Sequence, residues 1–258
     1  MIGQDAAVAA CARAAEAHAT AGAPWPRAVH LTIRGLIDRL AAARGLEPPL
    51  ADPKIPAAEA ALDALGPLDE WHVFGLGEIH QRLLELTPVT DEEGAVTTRR
   101  RDLGQRAPQG AWYTPSEAAR AMCRLSLGPV LEQLAQDSDP GAMFDVLSID
   151  PACGAGVMLV EAARFIAARV AARVSGEDPP PAAHVRAALP VVMTECVFGI
   201  DIDPAAVDMA KAALWLEIGG VRPFSFMDRN VIVGDALAHE DAVPPAFAER
   251  RGELPRAP

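Results

Sequence analysis

The chain has 258 residues, half of them apolar and 22% charged, with four cysteines and a formal net charge of −12. Such a composition predicts one large or two small globular domains that bury a core without disulfides, and it excludes disordered and fibrous classes. No apolar run reaches the roughly 18 residues of a membrane-spanning helix, and Asp5 stands where an export signal needs positive charge.

Residues 1 to about 23 are Ala-rich and predict a helix that stops at the Pro24–Pro26 break. A second helix is expected over 28–44, where Leu31, Leu36, Ile37 and Leu40 recur at helical spacing. Pro48, Pro49, Pro53 and Pro56 mark a loop. A third helical stretch follows Pro67 and uses Trp71, Phe74, Ile79, Leu83 and Leu86. Residues 88–111 are polar and Arg-rich and read as a loop between two units, a helical N-terminal region (1–110) and a second region (111–258). That loop holds a basic stretch, Arg99, Arg100, Arg101 and Arg106.

From Thr114 the pattern changes. Thr114-Pro115-Ser116-Glu117 reads as a capping box with Pro at the first helical position. The helix it opens should end near Gly128-Pro129, with a second one to Gln136. Residues 144–149 predict a buried strand ending at Asp150, followed by a glycine turn and a helix over 157–174. After a loop at 176–181, Val197–Ile200 predict a second strand, and Asp203-Pro204 opens a helix to Glu217. Val231–Val233 predict a third strand before Gly234-Asp235. Strands alternating with helices imply an α/β fold with a parallel sheet.

Charge bears on partners. The first 110 residues carry 11 basic against 15 acidic side chains and the remainder 12 against 20, with Lys54 and Lys211 the only lysines. Nucleic-acid affinity rests largely on neutralised phosphates, so any grip on DNA must come mostly from elsewhere. Cys11, Cys123, Cys153 and Cys196 are scattered without a Cys-x-x-Cys pair, and His72, His80, His184 and His239 show no metal spacing. This argues against zinc and disulfides and predicts a reducing cytoplasm.

Three segments carry candidate chemistry. Asp150-Pro151-Ala152-Cys153-Gly154-Ala155-Gly156 lies between a strand and a helix, where glycine lets backbone amides approach a ligand; a plain tight turn is the alternative. A dinucleotide fingerprint wants a third Gly near 159, where Leu159 stands, so a nicotinamide site is disfavoured. Gly199-Ile200-Asp201-Ile202-Asp203 and Gly234-Asp235 end the next two strands with carboxylates. An acid at that position can accept ribose hydroxyls, and Asp150, Asp201 and Asp235 together make a nucleoside-binding edge. Asp203 has a simpler reading as a helix N-cap.

These segments resemble the adenine-specific DNA methyltransferases of restriction–modification and phage-defence systems. The resemblance rests on Trp112-Tyr113-Thr114-Pro115, the Asp150–Gly156 run, Gly199–Pro204 with Ala210-Lys211 and Leu214-Trp215-Leu216, and Gly234-Asp235-Ala236-Leu237. Leu76–Leu84 resembles the helix that precedes the basic loop in those enzymes, so the likeness spans about residues 70–240. It implies a Rossmann-like class I fold for S-adenosylmethionine-dependent methyl transfer, present as a partial parallel sheet. It also implies a cofactor set of Tyr113, Thr114, Asp150, Pro151, Cys153, Gly154, Gly156, Asp201, Ile202, Asp235 and Ala236. In that family Thr114, Asp150 and the backbone at Gly154 and Gly156 serve the methionine part. Asp201 serves the ribose, Ile202 the adenine ring and Asp235 the adenine amino group. Cys153 reads as a small packing residue.

One departure stands out. The family's acceptor motif, Asn/Asp/Ser-Pro-Pro-aromatic after the fourth strand, has no match. Val243-Pro244-Pro245-Ala246 lacks both the polar acceptor and the aromatic and reads as loop. No catalytic residue is therefore assigned. The expectation is the cofactor-binding portion of an enzyme acting on DNA, with a second polypeptide supplying the acceptor motif and the target-recognition domain, and no membrane. Two alternatives are a catalytically inactive S-adenosylmethionine-binding module and a methyltransferase for protein, RNA or a small molecule.

Overall fold

The computed structural model describes residues 4–50, 52–69, 71, 75–100, 114–238 and 243–253. Within it the chain divides into two compact units, Met1–Tyr113 and Thr114–Pro258.

Small side chains organise the first unit. Helix α1 (Gln4–Thr20) buries Ala10, Cys11, Ala14 and Ala15, so its backbone lies close to α2 (Trp25–Ala43) and α3 (Pro56–Asp63). The branched side chains come from α2, whose Val29, Ile33, Leu36, Ile37 and Leu40 recur at helical spacing and are buried. The Pro-rich segment expected as a loop thus contains α3: Pro56 takes its first position, where the missing N–H costs nothing. The third expected helix is α4 (Gly75–Leu84); Trp71 lies before it in a turn, and Phe74 is outside the described residues.

Residues 88–100 are also not loop. Strands β1 (Leu86–Thr90) and β2 (Val96–Arg100) form an antiparallel hairpin with Thr90 opposite Val96 and Leu86 opposite Arg100. The Asp91 carboxylate accepts from the Ala95 N–H at 2.7 Å, and Gly94 takes a positive φ of 86°, which closes the turn. The polarity that suggested loop belongs to a hairpin with little buried surface. Arg99 and Arg100 of the basic stretch sit exposed on β2, while Arg101 and Arg106 lie outside the described residues.

The second unit opens with α5 (Ser116–Leu134), one helix that runs through Gly128-Pro129 where a break was expected. The expected capping box does not form. Pro115 is the N-cap and no side-chain oxygen caps the helix. A parallel sheet follows in the order β3-β4-β5, built from β3 (Ser148–Asp150), β4 (Val197–Asp201) and β5 (Val231–Val233). Helices α6 (Val157–Ser175) and α7 (Ala182–Cys196) connect β3 to β4, and α8 (Pro204–Glu217) connects β4 to β5. The fold is α/β with a small parallel sheet.

Two expectations are corrected here. The buried strand over 144–149 is shorter and less covered, because Phe144 and Asp145 belong to a 3-10 turn (Pro140–Asp145) and β3 is only half-buried. Its neighbour β4 is buried, with Val197 and Phe198 inaccessible. Among the described residues β3 pairs on one side only. The segment Val243-Pro244-Pro245-Ala246 is not all loop, since Pro245 is the first residue of helix α9 (Pro245–Glu253). Ala246 donates to the carbonyl of Arg229 just before β5, and Phe247 stacks edge-on against Phe198 at 5.2 Å. In the last turn Arg250 donates to the Phe144 carbonyl at 2.9 Å, just before β3. Helix α9 therefore runs along the end of the sheet where the strands begin.

Candidate functional site

The opposite end of the sheet gathers the carboxylates. Asp150 and Asp201 are the last residues of β3 and β4, and Asp235 lies two residues past β5. Backbone bonds tie the three loops together: Cys153 N–H donates to the Ile200 carbonyl and Gly234 N–H to the Asp201 carbonyl, each at 2.9 Å.

Asp201 is the centre of this arrangement. Its carboxylate accepts from the Gly154 N–H at 2.8 Å and from the Asp203 N–H at 2.9 Å. A carboxylate offers about four lone-pair sites, so two donors leave capacity for two more. Asp150 accepts from the Ala152 N–H at 3.1 Å. Burial pushes the Asp150 carboxyl up, the Ala152 bond pulls it down, and the neighbouring Asp201 charge pushes it up again. Asp235 accepts from the Leu237 N–H at 3.0 Å. None of the three forms an ion pair among the described residues, although arginine or lysine answers many other carboxylates of the unit. Asp203 does what a helix N-cap does, accepting from the Ala205 N–H at 2.8 Å.

The glycines are fixed by close approach. Gly156 takes φ 82° at the start of α6, and a Cβ there would meet the Cα of Ala210 at 2.8 Å. Gly199, in the middle of β4, has no room for a Cβ because Leu159 and Cys153 pack on it. Leu159 stands where a dinucleotide site would need glycine, and it fills that space. Cys153 is 5% exposed, and burial, followed by the charges of Asp201 and Asp150, pushes its thiol well above the ordinary range. It is a packing thiol.

Around the carboxylates lies apolar surface open to solvent. Ile202 is 62% exposed and Leu237 98%, with Val233 also exposed, while Ala236 is half-buried and Pro151 exposed. Thr114 is half-buried and makes no hydrogen bond to the rim. Tyr113 lies outside the described residues. The structure thus brings together nine of the residues singled out from the sequence and leaves Thr114 without a bond to them.

One residue of the frame was missed. Asn230, 3% exposed, donates its side-chain amide to the carbonyls of Thr194 at 2.8 Å and Val197 at 3.1 Å, fixing the end of α7 to the starts of β4 and β5. No local pattern points to it. Gly199 was legible, since an isolated glycine within a strand signals close backbone approach.

The rim's chemistry follows. It presents acceptors for hydroxyl and amino donors beside exposed aliphatic side chains, and its uncompensated negative charge favours a cationic ligand over a diphosphate. Among the described residues no three His, Cys, Asp or Glu side chains group to hold a metal, and no helix is long and apolar enough to cross a membrane. No family model matches this chain, and no curated protein or solved structure does.

Proposed function

We propose that the second unit is the S-adenosylmethionine-binding part of an adenine-specific DNA methyltransferase, with a partial Rossmann-like class I sheet. The observation that carries this reading is the rim of three strand-end carboxylates held by backbone N–H groups and left without a cation. S-adenosylmethionine brings what such a rim lacks: ribose hydroxyls for Asp201, an adenine amino group for Asp235, an adenine ring for Ile202 and an ammonium for Asp150. Its positive charge would also offset the repulsion between Asp150 and Asp201. The cofactor supplies the methyl group; this chain's residues bind and orient it, and in-line displacement at a sulfonium asks mostly for positioning.

The acceptor step belongs elsewhere in this proposal. Pro244 and Pro245 lead into α9 at the end of the sheet where strands begin, away from the carboxylate rim. A second polypeptide would supply the acceptor motif and the DNA-binding surface. In support, β3 is unpaired on one side among the described residues, and Arg250 brings α9 beside its start. Open strand edges of this kind accept further strands.

Calorimetry of the purified chain with S-adenosylmethionine is expected to give a one-to-one complex competed by S-adenosylhomocysteine. Absence of saturable heat from a folded sample sinks the proposal. A tritiated-methyl assay on duplex DNA is expected to stay at background for the chain alone and to rise when the partner is co-expressed. Transfer by the chain alone removes the second-polypeptide part.

A further inference from the structure

The first unit holds a cleft of about 470 Å³ that the proposed function does not use, formed by the last turn of α1, by α2 and α3, and by Pro48 and residues 52–54. His18, four carboxylates (Asp38, Asp52, Glu59 and Asp63) and two cations (Arg39 and Lys54) contribute its polar wall, and Leu31 and Leu62 its apolar wall. His18 is 6% exposed, and its Nδ1 has no hydrogen-bond partner. Native buried polar atoms are rarely left in that condition, and a ligand is one way to satisfy them.

The other polar groups differ in how fully they are used. Asp52 is held by Arg34, and Glu59 by Arg39 at 3.1 Å. Asp38 accepts from the Leu50 N–H at 2.9 Å through Oδ1 and forms no ion pair among the described residues. Unused acceptor capacity therefore lies on Asp38 and on the imidazole.

We propose that this cleft binds a small organic cation with an amidinium or guanidinium head and a short apolar body, its N–H donors shared between the Asp38 carboxylate and the His18 imidazole. Burial pushes the His18 pKa down against the pull of Glu59 and Asp52, so the ring is neutral near pH 7 and keeps one nitrogen as an acceptor. Leu31 and Leu62 take the apolar body. An anion would meet four carboxylates on the wall, where the two cations, Arg39 and Lys54, already face Glu59 and Asp63, and a metal ion lacks its ligands, since no group of three or more metal-binding side chains occurs among the described residues. The volume falls within the range of small-molecule sites.

The test uses the full chain with benzamidine as the cationic probe and benzamide as its neutral isostere. Calorimetry is expected to show one saturable benzamidine site with at least tenfold weaker benzamide binding. Long-range imidazole ¹H–¹⁵N spectra, assigned with His18→Gln, are expected to show the His18 nitrogens shifting along the same titration. Asp38→Asn keeps an acceptor for the Leu50 N–H and is expected to weaken benzamidine at least tenfold with the melting temperature unchanged. If Asp38→Asn fails to fold, Leu31→Trp, which fills the cleft from a half-buried position, is expected to abolish binding instead. Equal binding of benzamide, an unmoved His18 signal, or full affinity in a folded variant overturns the proposal.

Discussion

The first unit and the rim of the second hold their acidic side chains differently. In the first unit Asp52 meets Arg34 and Arg39 reaches both Glu59 and the exposed Asp63, while the half-buried Asp38 accepts from a backbone N–H and has no ion pair among the described residues. The second follows the same practice inside its helical layer, where the buried Glu161 lies 3.1 Å from Arg120 and 3.0 Å from Arg164. At its rim the practice stops, and among the described residues Asp150, Asp201 and Asp235 have only backbone N–H partners. A charge that is buried for stability is normally paired, because desolvation leaves an unpaired one costly. At the rim Asp235 is exposed and Asp150 and Asp201 are half-buried, so solvent and backbone N–H groups stand where a cation would.

The contrast can be broken in order of expected effect. The largest change should come from the frame. Gly156→Ala forces a side chain into a left-handed backbone and against Ala210, which together should cost about 2–4 kcal/mol. Gly176 has a similar φ of 71° with nothing within 4 Å, so Gly176→Ala should cost only about 1–2 kcal/mol. Urea denaturation of both variants separates backbone strain from close approach. Equal losses would show that the Gly156–Ala210 contact is not a constraint.

A paired and an unpaired carboxylate should then respond differently. Glu161→Ala is expected to lower stability by about 1–2 kcal/mol, since Arg120 is half-exposed and Arg164 keeps Glu217, and to leave S-adenosylmethionine affinity unchanged. Asp201→Ala is expected to weaken that affinity by about 1–3 kcal/mol, since the Gly154 and Asp203 N–H groups lose their acceptor and the ligand loses its own. Calorimetry with parallel melting curves reads both. Undiminished binding by Asp201→Ala removes the rim as the ligand site.

The smallest effect concerns pH. The folded-state pKa of Asp150 is raised, so the folded protein holds this proton more tightly than the unfolded chain does. Its contribution to stability is therefore most favourable below the ordinary carboxyl range and falls as pH rises towards the raised value. Asp150→Asn keeps an acceptor for Ala152 and removes the charge. The variant is expected to be slightly more stable than the parent at pH 7, with the difference vanishing in acid. Denaturation midpoints between pH 3 and 7 check the sign, and a variant less stable at neutral pH would contradict it.

The pattern of legible and illegible elements has a physical basis. The helix opened by Asp203-Pro204 and the strand at Val231–Val233 were readable because each is specified locally, by a cap, a proline and a short apolar run. The hairpin β1–β2 was not, since Thr and Arg on a nearly uncovered ribbon look like loop until the two strands pair. Helix α7 was missed because its apolar run has no clear period, contains Pro190, and passes into β4 at Val197 without a turn residue. The capping box failed for a related reason: the residues were present, but the chain entered α5 through Pro115, with Thr114 making no cap.

What the sequence determined by itself was the set of strand ends and their chemistry. A short strand must stop, and aspartate or glycine at its last position marks where, so Asp150, Asp201 and Asp235 could be placed without coordinates. Their relationship was decided only by the tertiary structure. Parallel pairing joins residues far apart in the chain, and it is this pairing that sets the Gly154 N–H on Asp201 and the Gly234 N–H on the Asp201 carbonyl. The same holds for Leu159 filling the space above Gly199, for Pro245 starting a helix at the far end of the sheet, and for His18 lining a cleft with Asp38. Each depends on contacts between distant segments, which local propensity does not encode.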